Sequence, residues 1–246
     1  MSEQTNMKIA LITGANKGLG YETARQLGKQ NIKVLIGARD ETRGREAAGK
    51  LQAEGCDAEF VLLDVGDEKT HEAAAKYIAE NYGKLDILVN NAGIVLEELI
   101  GKPSETSLAT LRKTFDTNFF GAIAVTQAFL PLIRKSEAGR IVNVSSGLGS
   151  LAQNSDASWD YAAVKPLAYN SSKTALNAFT VILAHELKEA NIKVNSADPG
   201  YTATDLNGNQ GTKTVEQGAS VITDLATLPN DGATGGYFDD EGVVPW

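Results

Sequence analysis

Short apolar runs alternate along this chain with longer amphipathic stretches. Runs such as Lys8–Thr13 and Leu85–Asn90 have the length of buried strands, while Tyr21–Gln30 and Tyr169–Ala190 carry apolar residues at helical spacing. Strands that alternate with helices of this length are typical of βαβ units and a parallel sheet. The other predicted strands are Lys33–Gly37, Glu59–Leu63, Arg140–Ser145 and Lys193–Ala197. The other predicted helices are Arg43–Glu54, Lys69–Asn81 and Thr106–Arg134, the last being one long helix or two joined ones.

This alternation predicts an α/β fold, namely a single-domain Rossmann-type doubly wound parallel sheet flanked by helices. The 246 residues fit one large domain, and no repeat, linker or low-complexity tract divides them. We therefore expect a single domain over residues 1–246. Two segments lack periodicity, Leu148–Leu167 and Thr202–Thr214, and irregular segments of this length in a compact domain are often functional.

Composition and charge limit the kinds of partner and compartment that suit this protein. The net charge of −8 argues against nucleic acid or an anionic membrane surface as a partner. No apolar run approaches the ~20 residues of a transmembrane helix. The segment Met1–Asn6 is polar and has no apolar signal-peptide core, and the single cysteine, Cys56, suits a reducing compartment. We therefore expect a cytoplasmic protein.

A glycine-rich loop follows the first predicted strand and leads into the first predicted helix. Glycines let the backbone turn sharply and approach a pyrophosphate, and the helix N-terminus offers free N–H groups to it. Such a loop alone is a weak signal, but the strand before it and the helix after it supply the required context. The predicted cofactor contacts in this loop are Gly14, Asn16, Lys17, Gly18, Leu19 and Gly20.

The end of the second predicted strand bears on which nicotinamide cofactor is used. NAD enzymes place an acid there to bind the ribose hydroxyls, whereas this chain has Ala38 followed by Arg39. Arg39 and Lys17 together suit a 2′-phosphate, and Arg43 can add a third charge. These cations favour NADPH/NADP+. Asp40 and Glu41 remain alternative ribose ligands, although both also suit the start of a helix.

Further motifs follow in a fixed order. They are Asp64-Val65, Asn90-Asn91-Ala92-Gly93, Asn118, Asn143-Val144-Ser145-Ser146, Tyr169-Asn170-Ser171-Ser172-Lys173 and Pro199-Gly200. Together with the glycine loop, this ordered set resembles the short-chain dehydrogenase/reductase family over nearly the whole chain. The sequence Gly37-Ala38-Arg39-Asp40 and the terminal Trp246 resemble its carbonyl reductase-like subgroup.

The resemblance implies further cofactor contacts. Asp64 would bind the adenine amino group and Val65 would lie beside the ring. The backbone of Asn91, Ala92 and Gly93 would run along the adenine ribose. The remaining implied contacts are Pro199, Gly200 and Thr202 beside the nicotinamide carboxamide, Thr204 near the pyrophosphate, and Tyr169 and Lys173 at the nicotinamide ribose.

Tyr169 and Lys173 are four residues apart in a predicted helix and therefore share a face. A nearby ammonium favours the phenolate and lowers the tyrosine pKa from about 10. The resemblance implies that Tyr169 gives a proton to the carbonyl oxygen of a small-molecule ketone or aldehyde. It also implies that Ser146 orients this oxygen, with Ser145 as the fallback, and that Asn118 holds a water linking Lys173 to solvent. The predicted reaction is NADPH-dependent reduction to an alcohol, without a metal.

The spacing of Ser146 and Tyr169 is longer than in many members of the family. The extra stretch, Ser150–Leu167, resembles an insert that covers the dimerisation face of animal carbonyl reductases, so we expect a monomer or dimer rather than a tetramer. Trp159 and Tyr161 either pack this insert onto the body or line the substrate entrance.

Two other functions remain open at this point. An alcohol, sugar or steroid dehydrogenase would run the same chemistry oxidatively. A non-catalytic NADP-binding sensor would be expected to lack Tyr169 or Lys173, and both are present. His71 and His185 lie in helical segments away from the motifs, and we interpret both as structural.

Overall fold

The computed structural model describes residues 7–246, so the polar segment Met1–Asn6 lies outside the described residues. Within them, seven strands form one sheet in the order β3-β2-β1-β4-β5-β6-β7, and every neighbouring pair is parallel. This doubly wound order confirms the predicted fold class. The strands are β1 Ile9–Thr13, β2 Lys33–Ala38, β3 Ala58–Leu62, β4 Ile87–Asn90, β5 Gly139–Val144, β6 Ile192–Ala197 and β7 Tyr237–Phe238.

Helices cover both faces of the sheet. They are α1 Gly18–Lys29, α2 Glu41–Ala53, α3 Glu68–Tyr82, α4 Leu108–Phe115, α5 Gly121–Ile133, α6 Leu151–Ser155, α7 Leu167–Glu186 and α8 Val215–Ala226. Successive strand residues point to opposite faces, so β1 contributes to two cores. Ile12 packs with Leu27 of α1 and Ile222 of α8, whereas Leu11 packs with Phe129 of α5 on the other face. Burial on both faces explains why the strands read as continuous apolar runs.

All the strands are parallel, so their carboxyl ends lie along one edge of the sheet. Chain order reverses between β1 and β4, because the chain first winds outward through β2 and β3 and then returns beside β1. Ligand sites of open α/β sheets lie in the crevice at such a switch point. The loops that follow β1, β4, β5 and β6 meet there.

The long helical stretch predicted over Thr106–Arg134 consists of α4 and α5 joined by a π-helical segment, Asp116–Phe120. A Cβ on Gly121 would lie 2.8 Å from the carbonyl oxygen of Val65, so the chain passes very close to the loop after β3 here. Irregular helical turns of this kind occur frequently at functional sites.

Three features went unpredicted. The strand β7 has only two residues, which is too short to give a periodic signal. The start of α8 could have been predicted from the sequence, because Thr214 and Gln217 have the spacing of a capping box and form one there. The segment Leu148–Leu167 contains α6, whose N-terminus is capped by Ser150.

Candidate active site

The glycine loop between β1 and α1 has the geometry of a phosphate cradle. Gly14 and Gly18 adopt φ values of 64° and 57°, which L side chains rarely tolerate. A Cβ on Gly14 would lie 3.1 Å from the Cα of Ala92. Lys17, the N-cap residue of α1, makes no side-chain capping hydrogen bond. The first N–H groups of α1 are therefore left for a ligand, and α1 starts at Gly18, earlier than the sequence predicted.

Thr13 and Asn91 fix this loop to the end of β4. The Thr13 hydroxyl accepts hydrogen bonds from the backbone N–H groups of Asn91 and Ala92, both at 3.0 Å, and Asn91 Nδ2 donates to the Thr13 carbonyl at 2.8 Å. A Cβ on Gly20 would lie 2.5 Å from Asn91 Nδ2. The Asn91 side chain is thus engaged in bracing the loop. The role of Thr13 was missed, because nothing in the local sequence links it to β4.

Several basic side chains lie beside the glycine loop. A cavity of about 620 Å³ lies there, lined by Asn16, Lys17, Tyr21, Arg43, Glu46, Ala47, Lys50 and Asp205. Lys17 Nζ lies 2.8 Å from Asp205 Oδ2, and both side chains are mostly exposed. Arg39 is exposed at the end of β2. Lys50 was not predicted, because its place in the last turn of α2 gives no sign that it faces the loop.

The two acids after β2 are engaged by α2. The Asp40 carboxylate caps this helix by accepting the N–H of Arg43 at 2.9 Å, and Glu41 pairs with Arg45 at 2.8 Å. Both carboxylates therefore have hydrogen-bond or ion-pair partners within α2, and the neighbouring basic side chains remain as candidate ligands for a cofactor phosphate. The open glycine cradle and the cation-lined cavity next to it fit a dinucleotide that carries an additional phosphate.

Asp64 and Val65 form the turn after β3. Asp64 Oδ1 accepts the N–H of Gly66 at 3.0 Å, and the buried His71 imidazole lies 2.7 Å from the Asp64 carbonyl oxygen. His71 thus makes a structural contact that fixes the turn, as expected for a histidine away from the motifs.

Asn118 lies in the π-helical segment, and only 1% of it is exposed. Its Oδ1 accepts the N–H of Ile94 at 2.8 Å, and its Nδ2 donates to the Ile94 carbonyl at 3.0 Å and to the Ser172 hydroxyl at 3.1 Å. A Cβ on Gly93 would lie 3.5 Å from both Asn118 Oδ1 and Lys173 Nζ. Asn118 therefore joins the loop after β4 to α7, close to Lys173.

Tyr169 and Lys173 are both buried in the first turns of α7, and Lys173 Nζ lies 5.6 Å from the centre of the Tyr169 ring. Lys173 Nζ donates to the Val144 carbonyl at 2.7 Å. Burial lowers the pKa of Lys173 to about 8. Burial also raises the pKa of Tyr169 to about 12, opposed by the Ser146 hydroxyl and reinforced by the Asp198 carboxylate.

The four-residue spacing to Lys173 predicted a lowered tyrosine pKa, whereas the pKa of Tyr169 lies above its ordinary value, with desolvation of the buried phenol as the largest cause.

Ser146 rather than Ser145 lies beside Tyr169. Ser146 follows β5 and its hydroxyl favours the Tyr169 phenolate. Ser145 is 2% exposed and lies next to the buried Tyr237 phenol instead. The two neighbouring serines thus point to different surroundings.

Glu97 was missed by sequence reasoning. It accepts the backbone N–H groups of Ala168 at 2.7 Å and of Tyr169 at 3.2 Å, and its other oxygen accepts the Thr106 hydroxyl at 2.8 Å. The N-cap residue of α7, Pro166, makes no side-chain cap of its own. A carboxylate from the distant loop after β4 therefore caps the helix that carries Tyr169.

Aromatic rings connect the segment before α7 to the loop after β6. Trp159 and Tyr161 pack edge to face with centres 5.4 Å apart, and Tyr161 contacts Tyr201 at 5.8 Å. A Cβ on Gly147 would lie 3.3 Å from Trp159 Cζ2. The row of rings therefore packs the segment onto the body and also borders the site beside Ser146.

The loop after β6 reaches the glycine loop. The Thr202 hydroxyl is buried and donates to the Pro199 carbonyl at 2.8 Å. Thr204 Cγ2 lies 3.9 Å from where a Cβ on Gly18 would be. The predicted residues Pro199, Gly200, Thr202 and Thr204 thus run from the carboxyl end of β6 towards the phosphate cradle.

The C-terminus secures the segment before α7. The Ser150 hydroxyl donates to the Pro245 carbonyl at 2.6 Å, and the Ala152 N–H donates to the Trp246 carbonyl at 2.9 Å. The Trp246 ring stacks on Tyr237 with centres 5.4 Å apart.

None of the helices described over residues 7–246 is long and apolar enough to cross a membrane. The same residues contain no cluster of three or more side chains suited to bind a metal ion.

Comparison with known proteins gives consistent matches. Residues 8–214 match the family described as short chain dehydrogenase. A (+)-neomenthol dehydrogenase from Capsicum annuum is 32% identical, over 97% of this chain and 98% of that protein. Carbonyl reductase [NADPH] 1 from Mus musculus is 33% identical, over 97% and 98% of the two chains. The crystal structure of NADPH-bound carbonyl reductase from chicken fatty liver superposes with a TM-score of 0.85 at 27% identity, covering 98% of this chain and 99% of that one.

Proposed function

We propose that this chain, which belongs to the short-chain dehydrogenase family, is an NADPH-dependent oxidoreductase that reduces a ketone or aldehyde to an alcohol, with Tyr169 as proton donor. The observation that carries this proposal is the buried pair of Tyr169 and Lys173 beside Ser146, at the carboxyl edge of the sheet. The named activities of the mouse and chicken relatives support the same reaction class.

The residues around the glycine loop would hold the cofactor. The N–H groups at the start of α1 would bind the pyrophosphate, and Lys17, Arg39 and Arg43 would bind the 2′-phosphate. Asp64 and Val65 would flank the adenine. When bound, NADPH supplies the hydride that the carbonyl carbon of the substrate accepts.

Tyr169 and Ser146 would act on the carbonyl oxygen. Ser146 donates a hydrogen bond to this oxygen, and Tyr169 transfers its phenolic proton to it as the carbon accepts the hydride, which leaves an alcohol and a phenolate. A phenol with a pKa of about 12 is fully protonated at neutral pH, so it starts in the form that reduction needs. Lys173, with a water held near Asn118, returns a proton to Tyr169.

The proposal includes the direction of the reaction, because carbonyl reduction and alcohol oxidation are the two directions of one reversible reaction. The Capsicum annuum relative is named a dehydrogenase, and an oxidative reaction would begin from the Tyr169 phenolate. The relatives named carbonyl reductase support reduction as the direction. We further propose that residues 1–246 act as one reductase domain, in the cytoplasm, as a monomer or dimer.

A panel of carbonyl compounds tests the function. Purified protein with NADPH should turn over at least one of cyclohexanone, acetophenone, benzaldehyde and a quinone, measured as NADPH consumption. The ratio of kcat/KM for NADPH to that for NADH should exceed one, and Arg39→Ala should reduce this ratio, whereas Arg45→Ala should not, because Arg45 pairs with Glu41. No turnover across the panel, or equal use of both cofactors, would contradict the proposal.

A further inference from the structure

One asparagine in the segment before α7 uses every hydrogen-bonding position of its side chain. Asn154 lies in α6, and its Nδ2 donates to the carbonyl oxygens of Leu148 at 2.9 Å and Ser150 at 2.8 Å. Its Oδ1 accepts a hydrogen bond from Lys165 Nζ at 2.8 Å and from Asn170 Nδ2 at 3.2 Å. A carboxamide has two N–H donors and two acceptor lone pairs, so these contacts saturate it. Asn154 therefore joins separate points of the chain on both sides of α6.

The contacts fix which way the Asn154 amide points. In the opposite orientation, its NH2 group would face the Lys165 ammonium, and its oxygen would face the carbonyl oxygens of Leu148 and Ser150. Lys165 Nζ also donates to the backbone carbonyl of Asn154 at 3.1 Å, so the ammonium holds this residue at two atoms. Charge and hydrogen bonding together thus set the side chain in one orientation.

Asn154 is linked to both of the proposed catalytic hydroxyl groups. The Leu148 N–H donates to Ser146 Oγ at 3.3 Å, and the Leu148 carbonyl is the group that Asn154 holds. The Ser146 oxygen acts there as an acceptor, so its proton stays available for the carbonyl oxygen of a substrate. On the other side, Asn170 directly follows Tyr169 in the first turn of α7. The Asn154 amide therefore connects residues 146–150, the Ser146 turn, to the helix that carries Tyr169.

A second contact ties the Ser146 turn to α7 at a different point. Thr174 Oγ1 donates to the Gly149 carbonyl at 2.8 Å. Gly149 lies one residue beyond Leu148, so this bond fixes the far end of the turn. Asn154 instead holds the residue whose N–H contacts Ser146 Oγ.

We propose that Asn154 is a positioning residue that places the Ser146 hydroxyl against Tyr169 for the reaction. Its support is α6, which the carbonyl groups of the last two residues of the chain hold in place. The spacing of Ser146 and Tyr169 is longer than in many members of the family, and the additional segment supplies this brace. The inference rests on the proposed roles of Ser146 and Tyr169.

Steady-state kinetics with the best carbonyl compound of the panel is the first test. In Asn154→Ala, kcat should fall by about ten-fold, because a small misplacement of a reacting group is costly, while the Kd for NADPH stays within about two-fold. Asn154→Asp keeps the acceptor contacts with Lys165 and Asn170 but loses both donors, so its kcat should be about as low. Ser155→Ala changes an exposed neighbour whose hydroxyl donates to the Leu151 carbonyl within α6, and it should keep the wild-type kcat.

A double-mutant cycle separates positioning from general destabilisation. If Asn154 acts by placing the Ser146 hydroxyl, its removal has no further effect on kcat once that hydroxyl is gone. The double variant Asn154→Ala/Ser146→Ala should therefore turn over about as fast as Ser146→Ala alone. A purely structural role predicts that the two losses multiply. If Asn154→Ala is not recovered folded, Asn154→Asp takes its place in the cycle.

Hydrogen–deuterium exchange tests the brace without substrate. The backbone N–H groups of residues 147–150 should exchange about ten-fold faster in Asn154→Ala than in the wild-type protein, because the turn loses a hydrogen bond that holds it closed. The N–H groups of the glycine loop between β1 and α1 should exchange at the wild-type rate.

Wild-type kcat in Asn154→Ala or Asn154→Asp, losses that multiply in the cycle, or unchanged exchange would each overturn the inference. Faster exchange in Asn154→Ala, together with no turnover of the panel by the wild-type protein, would leave the brace in place and refute the proposed function.

Discussion

Removing Glu97 should damage the helix that carries Tyr169. In Glu97→Ala, the N–H groups of Ala168 and Tyr169 lose a carboxylate partner at 2.7 and 3.2 Å, and the Thr106 hydroxyl loses its acceptor. Pro166 cannot compensate, because it makes no side-chain cap. The first turn of α7 should therefore fray at the point where Tyr169 projects into the site.

The magnitude follows from the bonds lost. A hydrogen bond to a charged group contributes about 1.5–3 kcal/mol, and loss of a helix cap costs about 0.5–2 kcal/mol. The two estimates describe the same contact, so we expect Glu97→Ala to lower the free energy of unfolding by about 2 kcal/mol. For a chain of this size that corresponds to a fall in Tm of about 4–8 °C. Because misplacement of a reacting group by about 1 Å can cost about 10²-fold, kcat should fall by about ten-fold or more.

Calorimetry and steady-state kinetics check these values together. Glu97→Gln keeps an acceptor oxygen and should recover most of both losses. Glu98→Ala, at the exposed neighbouring position, should change neither Tm nor kcat. The KM for NADPH should stay close to the wild-type value in all three variants, since the change lies away from the glycine loop. Wild-type Tm and kcat in Glu97→Ala would refute the role of Glu97 as the cap of α7.

Two further predictions concern charge. Asp205→Asn frees Lys17 from its ion pair at 2.8 Å, so the Kd for NADPH should fall by about two- to five-fold at low salt and by less at high salt. The Kd for NADH should stay unchanged, and fluorescence titration measures both constants. A parallel change for both cofactors would contradict a 2′-phosphate role for Lys17. Burial lowers the pKa of Lys173 to about 8 in the folded protein, compared with about 10.4 in the unfolded chain. Between about pH 8 and about pH 10.4 the unfolded chain therefore binds more protons than the folded protein, and the free energy of unfolding should rise with pH over this range. The kcat/KM for reduction should fall as pH rises through about 8, and a profile flat to pH 10 would show that the Lys173 charge is not required.

The parts of the fold that were predictable are those set by local pattern. Continuous apolar runs such as β1 result from burial on both faces, and the glycine loop follows from backbone conformations that few other residues adopt. Two of the contacts that tune the site join distant parts of the chain. Glu97 is 72 residues from Tyr169, and Lys17 is 188 from Asp205. No local sequence signal pairs them.

The ionisation of Tyr169 could not be predicted from spacing for a related reason. Its distance from Lys173 along the helix was correct, but the pKa depends on how much water the phenol and the ammonium both lose on folding. That loss of water depends on how distant parts of the chain pack around the two groups, as Glu97 does at the start of α7. Proximity was readable from the sequence, whereas desolvation was not.

The central claim is that Tyr169 donates the proton, and Tyr169→Phe tests it most directly. The substitution removes one oxygen and leaves the ring in its buried site. Turnover of the best carbonyl compound with NADPH should fall by about 10²–10⁴-fold, with the Kd for NADPH nearly unchanged. Tyr21→Phe, which removes a phenol from the cavity beside the glycine loop, should keep its turnover. Near-full turnover in Tyr169→Phe would contradict the claim.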